Sequence, residues 1–283
     1  MIFLRLLGRL PLAWLHALGV LLGWLTYLAS PVYAARMREN LTRSGIYPDP
    51  RDLERALREC VAHTGRSIAE IPKVWFDDEA RVASLVRCDT WHVIDQALAE
   101  GRGIIFLTPH LGCFEISAMY VAQRLPLTVL YRPPKQRWLE PLMEKGRIRG
   151  RMQVAPASVK GVRVLYKALK QGEPIGILPD QAPQFGEGAW ADFFGRPAYT
   201  ITLVRRLQKQ SQAPVIFAFA KRLPRSRGYE LLFERHDGEI DERELNRALE
   251  DLIRTCPTQY LWSYNRYKSP RGAAPVVEEE SKA

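Results

Sequence analysis

Short apolar runs separated by segments of helical spacing recur along this chain and restrict it to a small set of folds. Gly103 to Leu107, Leu127 to Tyr131, Pro174 to Leu178, Pro214 to Ala220 and Tyr229 to Glu234 have the length and branched or aromatic content of strands. Arg51 to His63, Thr90 to Glu100, Trp138 to Arg151, Val159 to Lys170 and Thr200 to Gln210 repeat their apolar residues at helical spacing. That alternation predicts an α/β fold with a mixed sheet flanked by helices, whose sites gather at strand ends. With 283 residues and 47% hydrophobic content the chain can bury a full core. The tail from Ser269, ending VVEEESKA, has the composition of disordered chain.

Leu10 to Ser30 contains no Asp, Glu, Lys or Arg and is long enough to cross a hydrocarbon core as a helix. Trp14, Trp24 and Tyr27 suit a headgroup region, so a shallow or in-plane helix is the alternative to a span. Arg5 and Arg9 before the run and Ala34 and Ala35 after it also fit a cleaved signal. Arg36, Arg38 and Arg43 make the downstream flank the more positive, which keeps the large domain cytoplasmic. Four cysteines, at 60, 88, 113 and 256, show no paired spacing and are expected as free thiols in a reducing compartment.

His110-Leu-Gly-Cys-Phe-Glu115 follows the first of the apolar runs. Residues five apart on a regular helix are rotated by about 140°, so the two side chains cannot share a face if both are helical. Pro109 fits a turn, which puts His110 on the loop and Glu115 one turn into the next helix, reaching back to the imidazole. Base and orienting carboxylate would then be present with the nucleophile missing. No serine lies in the motif, and Cys113 is expected to point away from the imidazole, so a substrate hydroxyl attacking a thioester is the economical nucleophile. A structural histidine is the competing reading, and metal ligation lacks a second His or Cys at ligand spacing.

Other strand ends carry groups able to join His110. Arg132 follows Leu127 to Tyr131, Asp180 and Gln181 follow Pro174 to Leu178, and Arg147 and Arg149 fall on the basic helix expected between those strands. Arginine's planar fork suits bidentate binding of phosphate or carboxylate. The excess of 41 Lys and Arg over 31 Asp and Glu, a net charge of +10, suits nucleic acid, anionic lipid or an acidic carrier protein. Nucleic acid is disfavoured, because zinc-finger spacing, an RNA-recognition signature and long basic blocks are all missing from the sequence.

The ordered blocks HLGCFE, YRPPK, ILPDQAP, FFGRPAYT and APVIFAFA resemble those of glycerolipid acyltransferases, whose first block is His, four residues, then Asp or Glu. More closely the chain resembles the late (lauroyl/myristoyl) acyltransferases of lipid A biosynthesis. Arg38-Glu-Asn-Leu41, Glu rather than Asp at 115, and Gln259-Tyr-Leu-Trp-Ser-Tyr-Asn-Arg-Tyr-Lys268 carry that closer likeness, which spans all but the acidic tail. Gln181 stands where many lipid A enzymes have His, and the chain is somewhat short.

The resemblance implies a glycerolipid-acyltransferase-like α/β domain over residues 36–268, behind an N-terminal membrane-anchoring helix in 1–35 and ahead of a disordered tail in 269–283. It implies transfer of a fatty acyl group from acyl carrier protein or coenzyme A to a hydroxyl of a membrane glycolipid, at the cytoplasmic face of a bacterial inner membrane. For lipid A that hydroxyl belongs to an acyl chain already on the precursor. Carried over, His110 is the base, Glu115 its partner and Arg147 a site arginine for oxyanion or phosphate. Arg132, Arg149, Asp180 and Gln181 are placed at the acceptor, with no cofactor and no metal. Two alternatives stay open. One is an acyltransferase for another acceptor: a glycerophospholipid, an aminolipid or a phosphatidylinositol mannoside. The other is a catalytically silent peripheral membrane protein.

Overall fold

The computed structural model describes residues 2–132, 134, 136 and 140–273. Its strands are β1 (Val86–Arg87), β2 (Ile104–Leu107), β3 (Leu127–Tyr131), β4 (Met152–Pro156), β5 (Pro174–Ile177), β6 (Gly188–Phe193), β7 (Arg196–Ile201), β8 (Val215–Arg222) and β9 (Tyr229–His236). Seven form one sheet in the order β1-β9-β8-β2-β5-β3-β4, and β6 with β7 forms a separate hairpin. Within the large sheet only β8 and β9 pair antiparallel, because the short link between them returns the chain at once. The remaining neighbours are parallel, which makes the sheet mixed, as the alternation predicts.

Every residue of β2 and β5 is buried, the pattern of central strands covered on both faces. Successive side chains point to opposite faces, so Ile105, Leu107, Ile175 and Ile177 enter one core with Leu57, Leu165, Leu207 and Leu249. Ile104 and Phe106 enter the other, with Ile94, Ile116 and Leu231.

Several boundaries differ from the sequence reading. Trp138 lies outside the described residues; the basic helix runs Glu140–Arg147 and stops before the turn at Gly150, whose φ is +56°. Thr200 belongs to β7, and the helix expected to begin there is Leu203–Ser211. The hairpin β6–β7, strand β4 and the helices Pro31–Arg43 and Glu242–Thr255 have no counterpart in the sequence reading. Residues 269–273 are described as loop, and the rest of the tail lies outside the described residues.

The uncharged N-terminal run is one helix, Leu12–Ala29, preceded by Ile2–Arg9, with Pro11 between them. Leu12–Ala29 is long and apolar enough to cross a membrane. It packs along the helix Pro50–Ala69 at very short range: a Cβ on Gly65 would sit 1.9 Å from the Gly19 carbonyl oxygen, and one on Gly23 would sit 2.5 Å from that of Val61.

Candidate active site

β2 and β5 run side by side with Leu107 opposite Ile177, and His110 and Asp180 each stand three residues past those partners. Sheet register therefore delivers them together at the carboxyl ends of the strands. The His110 main-chain N–H donates to Asp180 Oδ2 at 2.9 Å, and ring Nδ1 lies 2.8 Å from Oδ1. With the Nδ1 proton donated to the carboxylate, the imidazole keeps a lone pair on Nε2. Gln181 Nε2 lies 3.1 Å from that atom. Burial opposes the charge on Asp180. The electrostatic influence of the neighbouring imidazole and the bonds from the His110 ring and main chain outweigh burial and hold the carboxyl below its usual range.

Glu115 does not reach back to His110, a correction to the sequence reading. The helix Phe114–Ala122 starts one residue before it, and the ring stacked on His110, with centroids 4.8 Å apart, is Phe114. Glu115 instead accepts from Trp75 Nε1 at 3.0 Å and from Arg147 Nε at 3.2 Å, with a second guanidinium bond to its other oxygen. The Arg147 guanidinium is 5.5 Å from the ring centroids of both Trp75 and Tyr131.

His110, Glu115, Arg147, Arg132 and Gln181 all line one cavity of about 530 Å³. Much of its remaining wall is apolar, including Val129, Leu130, Met143, Met152 and Val162. A few convergent polar groups on an apolar wall suit a ligand with a reactive head and a hydrocarbon body. Arg132 is more than half exposed at the rim, 3.9 Å from Glu187. Asp180, placed at the acceptor from sequence, is buried against His110 and does not line the cavity, a second correction. Arg149 is the third: it does not line the cavity either. Past the helix end it donates to the carbonyls of Val74 at 3.1 Å and Asp77 at 2.6 Å, which ties two parts of the scaffold together.

The family model of the bacterial lipid A biosynthesis acyltransferases matches residues 1–269. The chain belongs to that family. It is 26% identical to the lipid A biosynthesis lauroyltransferase of Escherichia coli (strain K12), over 95% of this chain and 90% of the relative. It is 25% identical to the lipid A biosynthesis palmitoleoyltransferase of the same organism, over 92% of each. A lipid A biosynthesis acyltransferase of Haemophilus influenzae is 29% identical over 60% of this chain and 55% of the relative. The protein is thus an acyltransferase of lipid A biosynthesis.

In this acyltransferase the loop that carries His110 is held from several sides. Thr108 N donates to Ile177 O, Cys113 N to Ala220 O and Gly112 N to Gln259 O, while His110 O accepts from Leu261 N. Gly112 has φ +60°, and a Cβ there would lie 2.0 Å from Ala220 O, so only glycine lets the loop seat against β8. Gly112→Ala is therefore expected to displace His110 and lower kcat by about 10²-fold. Steady-state kinetics on a variant with wild-type circular dichroism tests this; unchanged turnover would refute the tight seat.

Four residues that support the acyltransferase site were not singled out from sequence. Glu70 and Arg222 form a buried pair, with Arg222 Nε 3.0 Å from Glu70 Oε2 and its Nη2 2.5 Å from Oε1. The same Nη2 donates to Gly112 O at 2.9 Å. Asn40 Nδ2 donates to the carbonyls of Trp262 and Tyr264, and Tyr264 Oη accepts from Ala182 N, next to Gln181. A visible signal existed for Asn40 and Tyr264, which lie in the Arg38–Leu41 and Gln259–Lys268 blocks. Glu70 and Arg222 gave none, since isolated charges in mixed segments read as surface.

Proposed function

We propose that the protein moves a fatty acyl group from an acyl thioester, on acyl carrier protein or coenzyme A, to a hydroxyl of an acyl chain on a lipid A precursor. The observation that carries this reading is the His110–Asp180 pair opening at Nε2 on a cavity with an apolar wall. His110 Nε2 takes the proton of the lipid hydroxyl as its oxygen attacks the thioester carbonyl carbon. The carbon–sulfur bond then breaks, and the departing thiolate recovers the proton from His110. Asp180 fixes the tautomer and offsets the imidazolium charge.

Arg147, aimed by Glu115, supplies positive charge to the developing oxyanion or to a lipid phosphate. Arg132 at the rim and Gln181 beside Nε2 contact the acceptor. Burial pushes the Cys113 thiol far above its ordinary pKa, with the Glu70 charge adding to the shift, which supports a nucleophile brought by the lipid. The +10 net charge complements an acidic carrier protein and anionic headgroups. The apolar helix Leu12–Ala29 and the arginines at 36, 38 and 43 suit an anionic membrane surface, which supports work at the cytoplasmic face of the inner membrane.

Mass spectrometry of cellular glycolipids tests the acceptor. Loss of one fatty acyl unit from lipid A is expected when the gene is removed and its return when the gene is restored; unchanged lipid A sinks that acceptor. Purified protein offered acyl carrier protein and coenzyme A thioesters of one chain length separates the donors.

A further inference from the structure

We propose that residues 2–29 lie in the plane of one leaflet as a fixed face of the catalytic domain and do not cross the bilayer. This rests on the membrane location proposed above. Trp14, Leu18, Leu21, Leu25 and Leu28 are all exposed on the apolar helix, Leu28 at 73% and Trp14 at 67%, with Leu6 on the preceding helix beside them in sequence. Exposure of this kind along one segment calls for an apolar partner. Exposed arginines at 5 and 9 precede the face and half-exposed Arg36 follows it, which suits an anionic leaflet.

The attachment of the segment argues against a span. Gly8 lies against Pro72, Gly19 against Gly65 and Arg66, and Gly23 against Val61, so contact with the domain runs along much of residues 2–29. His16, the lone Asp, Glu, Lys, Arg or His of Leu12–Ala29, turns inward, with Nδ1 2.9 Å from Ser226 Oγ and Nε2 3.3 Å from Glu70 Oε2. Its exposed side is thereby left without an Asp, Glu, Lys, Arg or His side chain, and the helix is tied to the buried Glu70–Arg222 pair. A crossing orientation would carry the antiparallel partner Pro50–Ala69 into hydrocarbon with it, including exposed Arg51, Arg55, Arg58 and Glu59. At 18 residues the helix is about 27 Å long, no more than the hydrocarbon thickness, so a span would leave no length to lift that partner clear. An in-plane helix buries only its outer face and leaves those charges in water.

The test uses full-length protein with Cys88→Ser, the other native cysteines being buried. Leu6→Cys, Leu18→Cys and Leu28→Cys, introduced one at a time, carry a fluorophore, in vesicles of phosphatidylethanolamine and phosphatidylglycerol whose acyl chains bear shallow or deep quenchers. Stronger quenching by the shallow label at all three positions is the expected result, together with no reaction of the same cysteines, left unlabelled in parallel samples, with an impermeant thiol reagent trapped in the lumen. Deep quenching at Leu18 together with lumenal reaction at Leu6 or Leu28 establishes a span and overturns the proposal. Equal protection of the labels without vesicles assigns the face to a second copy of the chain and also overturns it. Failure of the unlabelled protein to float with vesicles removes the membrane location itself, a distinct outcome that takes this proposal with it.

Discussion

Asp180→Asn is expected to lower kcat by about 10⁴-fold while leaving the fold intact, because the amide can donate where the carboxylate only accepts and so favours the wrong imidazole tautomer. Asp180→Ala should cost about 10²–10⁴-fold and expose the unpaired His110 N–H groups. Glu115→Gln leaves the His110–Asp180 pair untouched and loosens Arg147, so its loss should be smaller and weighted toward KM if Arg147 holds a lipid phosphate. Steady-state kinetics on the three variants decides between the two carboxylates. A larger kcat loss for Glu115→Gln than for Asp180→Asn would return Glu115 to the role that its place in the His-x4-Glu motif suggested.

The second large effect is on stability. Glu70→Ala should destabilise the protein by about 3–5 kcal/mol, because it strands the Arg222 guanidinium in a site where both side chains are almost wholly buried. Replacing both partners, as Glu70→Leu with Arg222→Met, should cost less than Glu70→Ala alone, since no charge is left unpaired. Arg222→Lys keeps the charge and loses the fork that spans Glu70, Ser67 and the Gly112 carbonyl, so kcat should fall along with stability. Denaturant unfolding in micelles measures the stabilities; a double variant no better than the single would refute the stranded-charge account.

The same pair sets an acid limit. Burial disfavours charge on Glu70, but the Arg222 charge and the hydrogen bonds from His16 and Arg222 hold its pKa down to about 2. A carboxyl depressed on folding stabilises the native state fully above its unfolded value, near pH 4.5, and that contribution is lost as pH falls toward about 2. The acid arm of a stability profile should therefore flatten in Glu70→Leu/Arg222→Met.

β3 and the helix Val159–Lys170 have the limits that periodicity predicts, because strong local patterns set them. Strand β4 was hidden because its two buried residues, Met152 and Ala155, are three apart, which is not strand alternation, and Pro156 ends it within five residues. The hairpin β6–β7 was hidden because its turn uses Phe194 at φ +50° and Gly195 at +68°, and a phenylalanine in the left-handed region is no turn signal. It is held there by Glu250, which accepts from Phe194 N at 2.6 Å, and by contact with Trp262, both far away in the chain.

Sequence alone determined the α/β class, the apolar N-terminal helix, His110 at a strand end and the family, because each rests on local periodicity or on ordered motifs. Tertiary structure decided which carboxylate serves His110. Asp180 lies 70 residues away in the chain and arrives only because β5 inserts beside β2 with Leu107 opposite Ile177. It also decided that Glu115 belongs to Arg147 and that Arg222 braces the loop carrying His110. Strand order and register act between distant segments, and spacing along the chain does not carry them.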